Sequence, residues 1–378
     1  MESKPRVAIV YDGFPHYRKG VIEELASSTN CDYCFVGDAT YRDASIKAYQ
    51  FAAQIDRQIT TSFALGPFHV QWGILRALRR KEITHCIFLG NPWFIAYWAL
   101  TPILRLRNVK VYYWTHGWIS REEPLMRRLI KELFFRLPNG LLLYGRRAKE
   151  IGASRGFSPE RMHVLNNSLD YKAQKSVYQG LSAVSQGTLR TELQLPQSGN
   201  IIICTARLTR KCRFDVLIRA AHILKGMNRD VFIVLVGDGP EREALSGLAE
   251  SLGVTHRFWG ACYDEMTIAK LHKAADLTVS PGKVGLTAMH SMAYGTPVIS
   301  HDNLDHQMPE VEAISPGVTG AFFAENSSED LAKAIAKWFT DHPSKPERAC
   351  VARIEAEFTP SFQRRVIEAA LLGRAVES

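Results

Sequence analysis

The sequence lacks the features of a secreted, zinc-binding or membrane-spanning chain. Its seven cysteines are scattered and do not form a disulfide framework. Cys31 and Cys34 make one CxxC motif, but no second pair follows, so no structural zinc site is expected. No signal peptide precedes the first strand-like segment, and no apolar run approaches the ~20 residues that span a bilayer. These absences favour a protein of the reducing cytoplasm.

Acidic residues are scarce in the first half of the chain. Residues 1–172 contain 25 Lys and Arg but 15 Asp and Glu, whereas the remaining residues contain 22 and 23, and the net charge is +9. Solvated helix faces, an anionic membrane surface and a phosphate-bearing acceptor would each explain this excess of cations. Because no helix-turn-helix, zinc-finger or RNA-recognition pattern is present, nucleic acid is not expected as a partner.

The chain does have alternating strand-like and helical segments over 378 residues, which is enough for two domains. Near its start, Arg6 to Tyr11 is a β-branched apolar run, Gly13 follows in a turn, and a helix is predicted from about Lys19 to Ala26. A strand, a glycine turn and a helix in this order open a Rossmann-like domain. The sequence therefore predicts an α/β fold with parallel sheets.

A histidine follows another predicted strand of the first half. Lys110 to Thr115 is a strand-like run, and His116 comes directly after it. In open α/β sheets ligands bind outside the carboxyl ends of the strands, so this position favours a functional histidine. A structural hydrogen-bonding role is the alternative.

Three helical segments of the first half carry apolar and cationic residues. Trp72 to Lys81 predicts an amphipathic helix, and Asn91-Pro92 predicts the N-cap and first residue of an apolar helix, either a buried crossover helix or an interfacial one. In Pro124 to Leu137, apolar residues share one face with Arg and Lys beside it. This pattern is typical of an interfacial membrane anchor, and equally of a helix packed on its own domain with a solvated face.

The most informative stretch runs from Ser280 to Ser300. Leu277 to Val279 predicts a buried strand, a helix is predicted to start near Gly285, and Gly295 with Pro297 ends it before the next strand. Free N–H groups at a helix N-terminus suit an anion such as a diphosphate. An ordinary βα turn of a parallel sheet is the alternative interpretation.

This stretch resembles the donor-site signature of family 4 glycosyltransferases, which have the GT-B fold of two facing Rossmann-like domains. The match covers Gly285-Leu286, Ser291 to Ala293 and Gly295 to Ile299. The signature also contains two glutamates separated by seven residues, and here Gly282 and His290 stand at their positions. In the family the second glutamate accepts hydrogen bonds from the ribose; an imidazole can accept one such bond. Glycine cannot replace the carboxylate that contacts the sugar.

Other family motifs follow in order along the chain. The family reads Gly-Arg-Leu, three residues, Lys-Gly and a helix; Arg207 matches, Cys212 falls at the lysine, and Lys211 and Arg213 flank it. The resemblance implies that Arg207, with Lys211 or Arg213, stabilises the charge of the leaving diphosphate. It further implies a set of donor-binding residues and places His116 near the reacting sugar. The donor-binding set is Gly13, Arg213, Gly239, Tyr263, Gly285, Leu286, Thr287 and His290, and the resemblance places the loop of Tyr263 at the nucleotide base.

The resemblance also implies a domain plan. Residues 1–172 would form the acceptor-side domain, residues 190–358 the nucleotide-sugar domain, and a final helix within 360–378 would cross back onto the first. The Ser-, Gln- and Gly-rich segment from Lys175 to Gly187 is predicted to be a linker or exposed loop. No Asp-x-Asp motif is present, which argues against the metal-dependent GT-A class and predicts an enzyme without a metal or cofactor.

The function implied is transfer of a sugar from a nucleotide diphosphate donor to a hydroxyl of a saccharide or lipid-linked saccharide, with retained anomeric configuration. In the family such enzymes often serve bacterial cell-surface polysaccharide assembly, of O-antigen or capsule, at the inner face of the membrane. Three alternatives stay open: a nucleotide-binding pseudoenzyme, a nucleotide-sugar epimerase, and a basic membrane-surface or nucleic-acid binder.

Overall fold

The computed structural model describes residues 4–40, 47–79, 82–120 and 122–375. The chain divides into two compact units. Unit 1 comprises Met1–Asp170 and Thr359–Ser378, and unit 2 comprises Tyr171–Phe358. Each unit contains its own parallel sheet with helices packed against it.

Unit 1 is built on a seven-stranded parallel sheet of order β3-β2-β1-β6-β7-β8-β9, with a separate antiparallel hairpin of β4 and β5. Its strands are β1 (Arg6–Gly13), β2 (Asp32–Asp38), β3 (Arg57–Ile59), β4 (Thr61–Leu65), β5 (Phe68–Trp72), β6 (His85–Leu89), β7 (Lys110–Thr115), β8 (Gly140–Leu143) and β9 (Met162–Val164). The central strands are almost wholly buried, as expected for a parallel sheet covered on both faces.

In unit 1 the strands are joined by crossover helices. They are α1 (Lys19–Ala26), α2 (Ile74–Arg79), α3 (Ile95–Leu106), α4 (Leu125–Arg136) and α5 (Arg146–Ser154). The predicted helix from Lys19 to Ala26 is confirmed. In the part of the chain that the structure describes, no helix is both long and apolar enough to cross a bilayer.

Two predicted helix starts in unit 1 are wrong. Trp72 ends the hairpin strand β5, so α2 begins two residues later at Ile74, and Arg80 and Lys81 lie outside the described residues. Asn91 does not cap α3, because its side-chain oxygen accepts from the backbone N–H of Trp93 and closes a local turn. The helix therefore begins at Ile95.

Unit 2 is built on a six-stranded parallel sheet of order β12-β11-β10-β13-β14-β15. Its strands are β10 (Asn200–Thr205), β11 (Val231–Val236), β12 (His256–Gly260), β13 (Leu277–Ser280), β14 (Val298–His301) and β15 (Gly320–Phe323). Its helices are α6 (Tyr171–Gly180), α7 (Gln186–Glu192), α8 (Phe214–Gly226), α9 (Arg242–Ser251), α10 (Glu265–Ala274), α11 (Leu286–Ala293), α12 (Ser328–Asp341) and α13 (Glu347–Glu357). The predicted helix near Gly285 is confirmed.

The segment predicted to be a linker is helical instead. Residues from Lys175 to Gly187 fall in α6, in the start of α7 and in the short turn between them. Leu181 and Leu189 are buried against the sheet of unit 2, and the Ser185 hydroxyl caps α7 by accepting from the N–H of Thr188. Tertiary burial of a few leucines therefore outweighs the polar composition of the segment.

The last helix, α14 (Pro360–Leu372), returns to unit 1, as the resemblance implied. Val366 and Ile367 are buried in the core beside β1 and β7. The hydroxyl of Tyr112 on β7 donates to the carbonyl of Ala370 at 2.7 Å, and Glu368 accepts from the side chains of Ser28 and Asn30. These contacts fix the end of the chain on the first sheet.

Each sheet has one point at which the strand order reverses. In unit 1 the chain leaves β1 towards β2 and returns on its other side at β6; in unit 2 it leaves β10 towards β11 and returns at β13. Ligands of open α/β sheets bind outside the carboxyl ends of the strands at such a point. In unit 2 this position is flanked by the loop that carries Arg207 and by the start of α11.

Candidate functional site

The loop after β10 presents cations without carboxylate partners. Arg207 and Lys211 are exposed, and among the described residues neither side chain has a hydrogen bond or ion pair. Arg210, in the same loop, approaches Glu241 at 3.4 Å. The guanidinium of Arg207 and the ammonium of Lys211 are therefore available to bind a phosphate group.

Arg213, the other predicted cation, is engaged within the protein. Its guanidinium donates to Asp215 at 3.1 Å and to the side chain of Asn326, and the hydrogen bond to Asp215 raises the pKa of Arg213. Its backbone is left-handed, with φ of 51°, where the family pattern has glycine. The thiol of Cys212 donates to the carbonyl of Arg207 at 3.1 Å. Lys211 is therefore the better candidate for a ligand.

Glycines let three loops of unit 2 lie backbone against backbone. A Cβ at Gly239 would stand 2.3 Å from the carbonyl oxygen of Leu208, and one at Gly282 would stand 2.0 Å from that of Lys211. The N–H of Gly282 donates to the carbonyl of Cys212 at 3.1 Å. The position at which the family has its first glutamate thus accommodates no side chain without displacing the Lys211 loop.

The start of α11 is fixed beside the end of β10. The Thr287 hydroxyl donates to the carbonyl of Thr205 at 2.8 Å. Within α11, Leu286, Thr287 and His290 are partly exposed and every other residue is buried. Gly285, at the N-cap, has no atom within 4 Å of an added Cβ. The helix therefore presents its N-terminal N–H groups and one narrow face, which suits an anion near its start.

His290 is held by a carboxylate from a neighbouring helix. Its Nε2 lies 2.8 Å from Oε1 of Glu265, at the start of α10, and the Tyr294 hydroxyl donates to the same oxygen. Tyr263, two residues before Glu265, is 90% exposed. The sequence pattern did not identify Glu265, although its place directly after the loop of Tyr263 would have made it a candidate.

The second group of predicted residues lies in unit 1. His116 follows β7 as predicted, with its ring 4.7 Å from that of Tyr144. Burial, with smaller effects of the cations Arg18 and Lys131, lowers the pKa of His116 to about 4. The imidazole is therefore neutral at pH 7 and can both donate and accept a hydrogen bond.

Arg18 is a neighbour of His116 that the sequence pattern did not reveal. Its guanidinium lies 4.8 Å from the ring centre of Trp114 and 5.3 Å from that of Tyr11, and it donates to the Tyr144 hydroxyl. No carboxylate pairs with it among the residues that the structure describes. In the sequence, its position between the glycine turn after β1 and the start of α1 was the feature that could have indicated a functional residue.

Gly13 ends β1, and its N–H donates to the side chain of Asp12 at 3.1 Å. A cavity of about 150 Å³ lies at this end of the unit 1 sheet. It is lined by Asp12, Asp38, Ser62, Phe63, His69 and others. Across the described ranges, no group of His, Cys, Asp and Glu is placed to hold a metal ion.

Known proteins resemble the chain in the region of these loops. Residues 185–354, which contain the Arg207 loop and α11, match the family model described as Glycosyl transferases group 1. D-inositol 3-phosphate glycosyltransferase of Streptosporangium roseum is 27% identical over 235 residues, 58% of this chain and 51% of that protein. Lipopolysaccharide core biosynthesis glycosyltransferase LpsE of Rhizobium meliloti is 29% identical over 186 residues, 48% and 52% of the two chains. The chain spans about half the length of these curated relatives.

Among solved structures, Anabaena Alr3699/HepE in complex with UDP aligns with a TM-score of 0.70 and 16% identity, over 98% of this chain and 100% of that one. At this identity the likeness concerns the fold alone; together with the two parallel sheets it confirms the predicted GT-B fold. The family-model match and the names of the relatives support the predicted glycosyltransferase. Membership of family 4 and retention of configuration stay predictions.

Proposed function

We propose that the protein is a retaining glycosyltransferase that moves a sugar from a nucleotide diphosphate donor to a hydroxyl acceptor. One observation carries this proposal: Arg207 and Lys211, without carboxylate partners among the described residues, lie in the loop that leads from β10 and packs against Gly282, shortly before α11 begins. Two unpaired cations near a helix N-terminus provide the charge that a diphosphate needs.

In the reaction, the bond between the anomeric carbon and the diphosphate oxygen breaks, and a bond from the anomeric carbon to the acceptor oxygen forms. The hydroxyl proton of the acceptor is released, and the leaving diphosphate gains negative charge. Arg207 and Lys211 stabilise this charge, with Leu286 and Thr287 presenting the N–H groups of α11. Donors aimed at developing charge are typically worth ~3–4 kcal/mol each, so no metal or cofactor is required.

Unit 1 contributes the acceptor side of this proposal. Its neutral His116 guides the acceptor hydroxyl. The acceptor is a saccharide or lipid-linked saccharide of bacterial cell-surface polysaccharide assembly, such as O-antigen or capsule. The relative LpsE, named for lipopolysaccharide core biosynthesis, supports this setting.

A thermal-shift panel of UDP, GDP, ADP and CMP in EDTA tests the donor site. One nucleotide at 100 times its dissociation constant should stabilise the parent by ~2.7 kcal/mol. Arg207→Ala should lose this stabilisation. Arg210→Ala is the matched control, because Arg210 lies in the same loop but faces Glu241. Failure of every nucleotide to stabilise the parent at millimolar concentration would refute the donor site.

Binding without turnover is the pseudoenzyme alternative, and both missing glutamates favour it. It is separated from the transferase by incubating the protein with the nucleotide sugar that matches the selected base. Acceptor-dependent release of the nucleoside diphosphate supports transfer. Change of the sugar with no acceptor present would instead indicate an epimerase.

We further propose that unit 1 contacts an anionic membrane surface through α4. Leu125, Met126, Leu129 and Leu133 are exposed on this helix, with Leu133 60% exposed, whereas Phe134 and Phe135 are buried in the core. Arg127 and Arg136 are exposed on the same helix. Apolar residues flanked by cations are typical of an interfacial helix, and each cation near an anionic surface contributes ~1 kcal/mol.

Vesicle flotation tests this surface. The parent should float with vesicles that contain phosphatidylglycerol and less with phosphatidylcholine alone. Leu129→Glu/Leu133→Glu should lose binding, whereas Met227→Glu, at an exposed apolar residue of unit 2, should keep it. Equal flotation of the α4 variant and the parent would contradict membrane contact through this helix.

A further inference from the structure

The carboxylate of Glu265 lies beside the narrow exposed face of α11. It belongs to the first turn of α10, and its side chain is 39% exposed. His290, which shares the exposed face of α11 with Leu286 and Thr287, donates to it from Nε2 at 2.8 Å. The family signature has a glutamate at position 290 of α11, where this chain has His290. A carboxylate from α10 is therefore hydrogen-bonded to the residue that replaces that glutamate.

The two oxygens of Glu265 differ in their partners. Oε1 accepts from His290 and from the Tyr294 hydroxyl, and the amide of Gln174 lies 3.5 Å away from it. Among the residues described, no hydrogen bond to Oε2 is found. Donors on one oxygen fix the plane of the carboxylate, so the other oxygen has a defined direction and free lone pairs.

The group is ionised at neutral pH. Burial alone would raise the pKa of Glu265, but hydrogen bonds from His290, Tyr294 and Gln174 and the electrostatic effect of His290 outweigh it and lower the pKa. An ionised carboxylate accepts hydrogen bonds only, and it repels phosphate. Its natural ligands are hydroxyl groups that donate.

We propose that Glu265 accepts hydrogen bonds from the ribose hydroxyls of the nucleotide donor, with His290 as the residue that positions it. The inference rests on the proposed function. It assigns to Glu265 the role of the carboxylate that the family signature has at position 290. Glu265 is a specificity-determining residue for ribose. His290 acts through Glu265.

The order of residues on unit 2 supports ribose over other hydroxyl groups. Leu286 and Thr287, at the start of α11, are assigned to the diphosphate, and His290 lies about one helical turn further, ~5.4 Å along the axis. Tyr263, assigned to the base, precedes Glu265 by two residues. Ribose connects diphosphate and base in the donor, and Glu265 follows Tyr263 by two residues and is hydrogen-bonded to His290, one turn after Leu286 and Thr287.

Isothermal titration with deoxyribose analogues tests this role. The probes are the ribonucleoside diphosphate that stabilises the parent and its 2′-deoxy and 3′-deoxy counterparts. The parent should bind at least one deoxy analogue about tenfold more weakly, because one hydrogen bond to a charged group is worth ~1.5 kcal/mol or more. Glu265→Gln should weaken the ribonucleotide about tenfold and remove the discrimination. Glu243→Gln, an exposed carboxylate of α9, is the matched control.

Moving the carboxylate sharpens the test. In the double variant Glu265→Gln/His290→Glu the carboxylate returns to α11, and discrimination between ribose and deoxyribose should recover. For His290, His290→Leu should reduce discrimination, and His290→Gln, whose amide can donate to Glu265, should restore part of it. Thermal melting of each variant separates these effects from loss of folding.

The outcomes separate this inference from the proposed function. If the parent binds no nucleoside diphosphate, the donor site itself is refuted. If Glu265→Gln binds the ribonucleotide and its deoxy analogues as the parent does, the donor site stands and the role of Glu265 is overturned.

Discussion

The two units position their candidate residues by different physical means. In unit 2, Gly239 and Gly282 bring loops into backbone contact, and these contacts shape the loop of Arg207 and Lys211. In unit 1, Arg18 and His116 are positioned by the packing of aromatic rings, among them Trp114 and Tyr144. Backbone contact depends on residue type at fixed spacing, whereas ring packing depends on the whole core. Backbone contact at glycines can therefore be predicted from a sequence motif, whereas the packing of aromatic rings cannot.

The largest expected effect comes from filling a backbone contact in unit 2. Gly282→Ala places a Cβ 2.0 Å from the carbonyl oxygen of Lys211, so the loop must move; overpacking of this kind costs ~1–3 kcal/mol or more. Denaturant unfolding should show a loss of about 3 kcal/mol and nucleotide binding should weaken. Gly285→Ala, which meets no atom within 4 Å, should change stability little. Equal stability of the two variants would contradict the backbone contact.

In unit 1, buried His116 should make the free energy of unfolding depend on pH. The folded-state pKa of His116 is about 4, below its ordinary value of 6.5, so the unfolded chain binds more protons between these values. Stability should therefore fall as the pH is lowered from 6.5 towards 4. His116→Gln should reduce this fall by up to about 3 kcal/mol, because one pKa unit is worth ~1.4 kcal/mol. Parallel slopes for the variant and parent, from denaturant unfolding at pH 7.5 and 4.5, would be the contrary result.

Arg18 provides a smaller test of ring packing. Arg18→Met keeps the chain length but removes the cation from beside Trp114 and Tyr11, which should cost ~1–2 kcal/mol in the free energy of unfolding. Arg365→Met is the control, because Arg365 is exposed and 5.8 Å from Phe362. We expect the control to lose ~0.5 kcal/mol or less. If Arg365→Met lost as much free energy of unfolding as Arg18→Met, the aromatic rings around Arg18 would contribute no particular stabilisation.

The smallest expected effect distinguishes two cations of unit 2. Arg213→Gly relieves a positive φ and loses the exposed pair with Asp215, so stability should change by no more than ~0.5 kcal/mol. Its nucleotide affinity should stay that of the parent, whereas Lys211→Ala should bind about tenfold more weakly. Isothermal titration of both variants checks this, and the reverse order of affinities would assign the diphosphate to Arg213.

The sequence predicted much of unit 2 because its loops depend on glycine. The helix after Gly285 and the strand before Arg207 follow from the spacing of apolar residues and from the glycines and prolines that bound them, whereas the return of the last helix to unit 1 was implied by the family resemblance. The Lys175 to Gly187 segment was mispredicted, because burial of leucines overrode its polar composition. No local pattern connects residues distant in the chain, so the role of Arg18 and the pairing of Glu265 with His290 required the fold.

The most direct measurement compares binding of a nucleoside diphosphate with binding of its nucleoside, in EDTA, by isothermal titration. If Arg207 and Lys211 hold the diphosphate, the parent should bind the diphosphate at least tenfold more tightly than the nucleoside. Arg207→Ala should lose most of this difference while still binding the nucleoside. Equal affinity of the parent for both compounds would contradict a diphosphate site in unit 2.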